Sequence, residues 1–539
     1  MSEALREADA LVDREDRDVA RLSLKDNVIV EAGAGTGKTT LLIDRIVFLI
    51  LGGGLEIGRL VALTFTEKAA AEIKLRLAQR LAAMSALLSG ADSHDGAALR
   101  CLADLKEHFP KKESAYLSSA QEAHRGLERA QIGTIHSFCA HLLRLYPLEA
   151  GLDPDFRVDA DGSAFDEQFE LEWALWLDKE LGEEAPRPDL WEKVLEAATI
   201  EDLRELARGL ANPRVDLAAA GRNDVEAELA ALARRAQNLG KDKPKPKGKI
   251  LDYLAWAADR LRGENAGAPS PTKTAPSWPK NWPSEGEAEY QSITGVARRL
   301  DPSAESLLRD AVELVASFVL RLRADYRRRG WISFDGLLVG ARDLMRDHPH
   351  ARAETKGSFG AFLIDEFQDT DPLQGELLMY LAEEESRDAR TWRETRLARG
   401  KLFVVGDAKQ SIYRFRGADI SAVENFTEHL VSQGALQATL RTNFRSTQAI
   451  VDAVNGVFRS VMKGRPGLQP DYKEIAPSSA GGAAPRWIRV KPAGSDTKLS
   501  ANARRRAEAA WIADWILRQR GELSYRDIAI VVRTTTDLI

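Results

Sequence analysis

The segment Glu31-Ala-Gly-Ala-Gly-Thr-Gly-Lys-Thr39 constrains this chain more than any other stretch in it. Gly33, Gly35 and Gly37 leave no Cβ to block a ligand, and they allow backbone dihedrals closed to other residues. Consecutive N–H groups of such a loop turn inward around phosphate oxygens. Lys38 follows, placed to reach the outer phosphates of a nucleoside triphosphate, and the Thr39 hydroxyl suits a magnesium ion. Val28-Ile-Val30 before the loop reads as a buried strand, and Leu41, Leu42, Ile46, Val47 and Ile50 recur after it at helical spacing. The loop thus lies between a strand and the positive end of a helix, where anions are held best. Its nucleotide-facing residues are expected to be Ala32, Gly33, Ala34, Gly35, Thr36, Gly37, Lys38, Thr39 and Thr40.

More than three hundred residues later, apolar Ala361-Phe-Leu-Ile364 runs directly into Asp365 and Glu366. Adjacent strand residues face opposite ways, but a bend at the strand's end can turn both carboxylates toward one nucleotide. Asp365, with Thr39, is then expected to hold magnesium, and Glu366 to polarise the attacking water. A solvated acidic turn is the competing reading, since Asp369 and Asp371 follow closely; the glycine loop upstream weighs against it.

Other apolar runs end in the same manner. Leu60 to Leu63 precedes Thr64, and Leu402 to Val405 precedes Gly406 and Asp407. Ligands of open α/β sheets gather at the carboxyl ends of strands, so the recurrence points to one parallel sheet with a shared site. Between Thr64 and Lys401 the pattern is mostly helical and adds no convincing strand besides Ala361 to Ile364. Glu67 through Leu88, Ala164 through Leu210 and Ser303 through Arg329 read as helices of inserted subdomains. Gly240 through Lys249 and Gly263 through Gly286 carry seven prolines and read as linkers or mobile loops. Their lysines, with Trp278 and Trp282 near Lys280, suit either a nucleic-acid backbone or plain solvent.

Composition narrows the class without choosing the substrate. A chain of 539 residues is long enough for several domains. No run approaches the roughly 18 apolar residues of a membrane span, and Met1 through Asp18 is charged throughout rather than signal-like. No membrane role is expected, and the cytoplasm is the expected location. Cys101 and Cys139 are too few for a disulfide framework or a four-cysteine metal site, and read as small core residues. The formal charge of −6 opposes indiscriminate coating of nucleic acid but permits a locally basic groove.

A third segment, Val404 through Asp419, sets an amide, two aromatics and two arginines just after a strand. Gln410 can hydrogen-bond a phosphate or the attacking water, and Phe415 lies near enough to stack on a base. With it, six ordered segments resemble the UvrD/RecB/AddA group of superfamily 1 DNA helicases. They are Ala32 to Thr40, Ala62 to Ala70 (ALTFTEKAA), Ile132 to Cys139 (IGTIHSFC), Leu363 to Gln374 (LIDEFQDTDPLQ), Val404 to Asp419, and Leu440 to Thr447 (LRTNFRST). The wording TIHSFC, EFQDTDPLQ and YRFRGAD is closer to the RecB and AddA branch than to UvrD itself.

The resemblance implies an ATP- and Mg2+-dependent motor stepping 3′ to 5′ on single-stranded DNA, in repair or recombination, with a partner subunit in some helicase–nuclease complexes. It implies an α/β fold with a P-loop, RecA-like parallel-sheet core, a large helical insertion and the start of a second RecA-like domain. On this layout the first RecA-like domain comprises 1–80, 131–150 and 331–436, with insertions at 81–130 and 151–330 and the second domain at 437–539. Lys38, Asp365, Glu366 and Gln410 keep the roles given above. By resemblance Phe444 stacks on adenine and Arg445 reaches the γ-phosphate, while Thr64, Phe65, Thr66, His136, Ser137, Tyr413, Phe415 and Arg416 contact DNA. Arg14-Glu-Asp-Arg17 stands where the family usually has a glutamine that reads adenine. Only a helix near Arg504 through Arg518 and a strand Ile528 to Val532 are expected toward the end, too few elements for a second sheet. The chain is therefore expected to be part of a longer protein; the alternative reading is a nucleotide- and DNA-binding module with little ATP turnover.

Overall fold

The computed structural model describes residues 11–91, 95–183, 185–217, 224–239, 248–261, 271, 275–278, 286–299, 302–465, 467–481, 500–519 and 523–532. Its centre is a six-stranded sheet whose every pairing is parallel, in the order β3-β2-β6-β7-β1-β8. The strands are β1 Val28–Ala32, β2 Leu60–Thr64, β3 Gln131–Thr134, β6 Ala361–Ile364, β7 Leu402–Gly406 and β8 Leu436–Leu440. The four apolar runs that end in a chemical residue are the central four of these. β2 and β6 are buried along their whole length, as strands covered on both faces must be.

Side chains divide by strict alternation between two cores. Leu60, Ala62, Leu363, Phe403 and Val405 pack on one face with the helices Lys38–Val47 and Glu67–Leu88. Val61, Leu63, Phe362, Ile364, Leu402 and Val404 pack on the other with Ile135–Leu145, Phe334–Asp347 and Pro372–Ala382. With helices on both faces, the ends of the strands are the open ground for a ligand, and the register brings all six carboxyl ends to one edge. Cys101 and Cys139 are buried, one in each core, and burial raises both thiol pKa values.

A long excursion leaves after β4 (Arg157–Asp159) and returns at β5 (Trp331–Ser333), and the two short strands pair in parallel at its neck. Within it, Phe169, Trp173, Trp176, Trp191 and Phe318 form an aromatic core of its own. A separate, smaller cluster includes Ile250, Leu254, Tyr290 and Ile293. Residues 240–247, 262–270 and 279–285, which hold most of the expected linkers, fall outside the described residues, as do Lys280 and Trp282. Gly248–Leu261, between those linkers, is a helix, and Trp278 packs against Tyr290 at 5.5 Å.

Three expectations are corrected. Strands β3, β4 and β5 do lie between Thr64 and Lys401; β3 is an edge strand and only partly buried, and the others have three residues each, too short for periodicity to reveal. Residues 436–440, expected to open a second domain at 437, pair with β1 as the sixth strand of the first sheet. Beyond β8, β9 (Thr442–Asn443) pairs with β10 (Ala476–Pro477). Ile528 to Val532 is not a strand: it has no ladder partner among the described residues, and Val531 is 93% exposed. An apolar run without a partner strand leaves its backbone groups to solvent.

Candidate nucleotide and nucleic-acid site

The edge of the sheet reads as a graded series. β1 ends in the glycine loop and β8 leads into Thr442-Asn443-Phe444-Arg445, so the two segments expected to face a nucleotide stand at one end. β2 and β3, at the other end, lead into Thr64 to Thr66 and into His136 and Ser137. β6 and β7, carrying Asp365, Glu366 and Gln410, lie between.

Gly35 and Gly37 adopt φ of 75° and 85°, and Gly37 starts the helix Lys38–Val47, so the loop wraps as its glycines require. Thr36 is fully buried, and its hydroxyl donates to the Gly33 carbonyl at 2.8 Å, fixing the curve from within. Ala32 is buried at the end of β1, Thr39 is half-buried, and Ala34 and Thr40 are exposed. The Lys38 ammonium meets Glu366 Oε2 at 2.9 Å.

The bend needed to aim both carboxylates is present. Glu366 has φ 54° and ψ 43°, the one non-glycine residue with positive φ among the described residues. Strained backbone of this kind persists where the surroundings over-determine it, commonly at functional sites. Burial first, and then the neighbouring Glu366, push the Asp365 carboxyl up to about 6 against the pull of Lys38. Asp369 is pushed up to about 6 for the same two reasons. Two buried oxygens here, Thr64 Oγ1 and Asp369 Oδ1, lack a hydrogen-bond partner. A left-handed glycine cradle, the Thr39 hydroxyl and crowded carboxylates are oxygen and N–H donors of the kind that fit a magnesium–nucleotide complex.

Gln410 donates from Nε2 to Asp407 Oδ2 at 2.8 Å. Lys409 bridges Asp407, at 2.8 Å, and Glu31 of β1, at 3.2 Å. Phe444 and Arg445 lie directly on the cradle. Phe444 N donates to the Gly35 carbonyl at 2.8 Å, Asn443 Nδ2 donates to the Ala34 carbonyl at 2.7 Å, and a Cβ on Gly35 would fall 2.7 Å from Arg445 Cβ.

The residues expected to contact DNA come together in part. Phe65 stacks on Tyr413 at 4.7 Å between centroids, Tyr413 lies 6.0 Å from Phe415, and Phe415 is 78% exposed. His136 meets the Phe334 ring edge-on at 5.0 Å, and its burial lowers its pKa. Thr66 caps the helix Glu67–Leu88 by accepting from Ala69 N, and Ser137 donates to the Thr134 carbonyl; both are exposed residues at helix starts. The side chain of Arg416 lies outside the described residues. A cavity of about 750 Å³ runs from the β2 and β3 end of the edge to its middle, lined by Phe65, His136 and Phe415 together with Asp365, Glu366 and Asp369.

Three contributors escaped the sequence pattern. Gln368 donates from Nε2 to Glu366 Oε2 at 2.8 Å and accepts the Asp407 N–H on Oε1 at 2.8 Å, tying the β6 and β7 loops together. Arg17 donates to the Thr36 carbonyl at 3.0 Å and stands over the Phe444 ring at 5.1 Å, in the region that the resemblance assigns to adenine reading. Asp13 holds Arg17 with two bonds, at 2.9 and 3.0 Å, and accepts from Arg441 N and from Thr442 N and Oγ1. Burial opposes ionisation of Asp13, but the bonds from Arg17 and Thr442 outweigh it and keep the carboxyl below its usual range. Only Asp13's place before an amphipathic run, as a helix-start signal, could have flagged it.

Residues 12–430 match the model of the UvrD/REP helicase N-terminal domain. Among curated proteins, an ATP-dependent helicase/nuclease subunit of Geobacillus kaustophilus is 27% identical over 81% of this chain and 38% of its own length. The protein of the same name from Listeria welshimeri is 24% identical over 95% of the chain and 46% of its own length. That from Syntrophomonas wolfei is 26% identical over 83% and 38%. The chain thus spans less than half the length of the curated relatives it matches. No helix among the described residues is long and apolar enough to cross a membrane.

Proposed function

Because the chain belongs to the UvrD/REP helicase N-terminal domain family, we propose that it is the motor part of an ATP-dependent DNA helicase moving 3′ to 5′ on single-stranded DNA. The observation that carries this reading is the shared cavity: Asp365 and Glu366, the latter paired with Lys38 of the glycine loop, line the same cavity as Phe65 and Phe415, whose rings both neighbour Tyr413. Lys38 and the loop N–H groups would bind the phosphates, Thr39 and Asp365 the magnesium, and Phe444 the adenine. Glu366 would take the proton of the attacking water, Gln410 would sense the γ-phosphate, and Arg445 would neutralise charge on it. An arginine in that position is worth roughly 10³ to 10⁵ in rate. Bases stacked on Phe65 and Phe415 would be held without regard to sequence, as a translocase requires.

The relatives are named as subunits of a helicase/nuclease, which supports a partner subunit; entry from a duplex end and work in cytoplasmic DNA repair or recombination are part of the same proposal. Displacing a strand from duplexes with a 3′ or a 5′ single-stranded tail tests the reading. Displacement from the 3′-tailed duplex alone is expected. Equal displacement from both would refute the polarity, and analogue binding with turnover at background would instead identify a nucleotide- and DNA-binding module.

A further inference from the structure

The turn Asn212-Pro-Arg214 follows the helix Ile200–Leu210 inside the inserted helical excursion, more than a hundred residues from the carboxylates it meets in space. Arg214 reaches the nucleotide-bearing edge. Its Nε donates to Asp335 Oδ1 at 2.7 Å and its Nη2 to Asp371 Oδ2 at 2.8 Å. Asn212 Nδ2 takes the other Asp335 oxygen at 2.8 Å. The turn itself is clamped, because Arg323 of the helix Pro302–Arg328 donates to the carbonyls of Leu210, Asn212 and Val215 at 2.6, 2.6 and 2.8 Å. The guanidinium is therefore presented by a fixed frame.

Each carboxylate it holds belongs to a different part of the site. Asp335 lies in the first turn of the helix Phe334–Asp347, next to the ring that meets His136. Asp371 caps the helix Pro372–Ala382, accepting from Gln374 N at 3.0 Å, and sits at the end of the loop that begins with Asp365 and Glu366. A Cβ on Gly417 would lie 3.6 Å from Arg214 Nη1, so the backbone that follows Phe415 also passes against this side chain. One planar fork thus spans the helix whose Phe334 meets His136, the Phe415 loop and the loop of the carboxylates. Two charge-assisted bonds from a single rigid group transmit a shift of one partner to the other.

We propose that Arg214 is a positioning residue that couples occupancy of the DNA groove to the nucleotide site. This rests on the reading of the edge as a DNA-dependent ATPase. Coupling between two ligands is reciprocal and measurable without turnover. In the full-length protein, the affinity for fluorescent oligo-dT is measured with and without magnesium and a nonhydrolysable ATP analogue. Wild type is expected to differ by about fivefold or more between the two conditions. Arg214→Ala is expected to bring the ratio to within about twofold of one, with oligo-dT affinity in the absence of nucleotide little changed. Arg214→Lys, a point charge that cannot hold both carboxylates in one plane, is expected to restore part of the ratio.

An unchanged ratio in Arg214→Ala overturns the proposal, as does loss of oligo-dT affinity together with thermal stability in both variants, which would mark a merely structural arginine. No coupling in a wild type that binds both ligands also overturns it and leaves the functional reading standing. A wild type that fails to bind oligo-dT overturns the functional reading itself.

Discussion

Lys38 Nζ lies 2.9 Å from Glu366 Oε2, so the lysine that ends the glycine loop and the carboxylate that ends β6 form an ion pair across 328 residues of sequence. Glu366 reaches it through a left-handed backbone, and Gln368 donates to the same oxygen. In this arrangement the carboxylate is aimed at the Lys38 end of the glycine loop.

Removing the charge but not the shape separates chemistry from binding. Glu366→Gln keeps an acceptor for Lys38 and Gln368, and is expected to lower ATP turnover by about 10² to 10⁴, the usual contribution of a positioned base. Analogue affinity is expected to stay within a few-fold. Turnover and analogue binding measured on the same preparation decide the point, and near-normal turnover would remove Glu366 from the role of base.

At Gly35, φ is 75° and an added Cβ would sit 2.7 Å from both Arg445 Cβ and Asn443 Nδ2. Gly35→Ala is expected to cost about 1 to 2 kcal/mol from the left-handed backbone alone and to lose most nucleotide affinity. Gly357, in a helix with nothing within 4 Å of its added Cβ, is the control. There alanine is expected to stabilise by about 0.5 to 1 kcal/mol. Denaturant midpoints and analogue titrations check both.

The crowded carboxylates give a pH signature with a definite sign. Asp365 and Asp369 lie near 6 in the fold and 3.8 outside it, so the folded state binds their protons more tightly. Their contribution to the stability of the magnesium-free protein is therefore lost as pH rises through 3.8 to 6 and is regained on acidification. Nucleotide affinity in magnesium runs the other way and is expected to fall as pH drops through 6. Thermal midpoints of the wild type and Asp369→Asn across this window test it; the variant should lose part of the slope.

Base stacking predicts a graded loss of DNA affinity. Phe65→Ala and Phe415→Ala are each expected to weaken oligo-dT binding by about 1 to 3 kcal/mol. The double variant is expected to lose less than the sum, because both rings pack on Tyr413. Unchanged affinity would return both rings to a packing role.

Much of this site was legible because the sequence feature and its geometry are local. Gly35 and Gly37 take the positive φ that glycine allows, and a run such as Phe362 to Ile364, apolar at every position, suits a central strand. Asp365 and Glu366 were readable for the same reason. What local pattern cannot carry is a partner fixed only by topology. Gln368 gains its part from β7 lying beside β6, Arg17 from a helix folding back onto Phe444, and Arg214 from an excursion returning at its neck. The boundary expected near Gln437 failed on the same ground: β8 looks alike in either sheet, and only its ladder with β1 assigns it.

Steady-state ATP turnover of the full-length protein with and without oligo-dT addresses the central claim most directly. If the cavity between Glu366 and Phe415 links a nucleotide site to a DNA groove, oligo-dT stimulates turnover at least about tenfold, a change of about 1.4 kcal/mol in barrier, and the stimulation drops in Phe65→Ala and Phe415→Ala. Equal turnover with and without DNA, in a preparation that binds the ATP analogue, would contradict it.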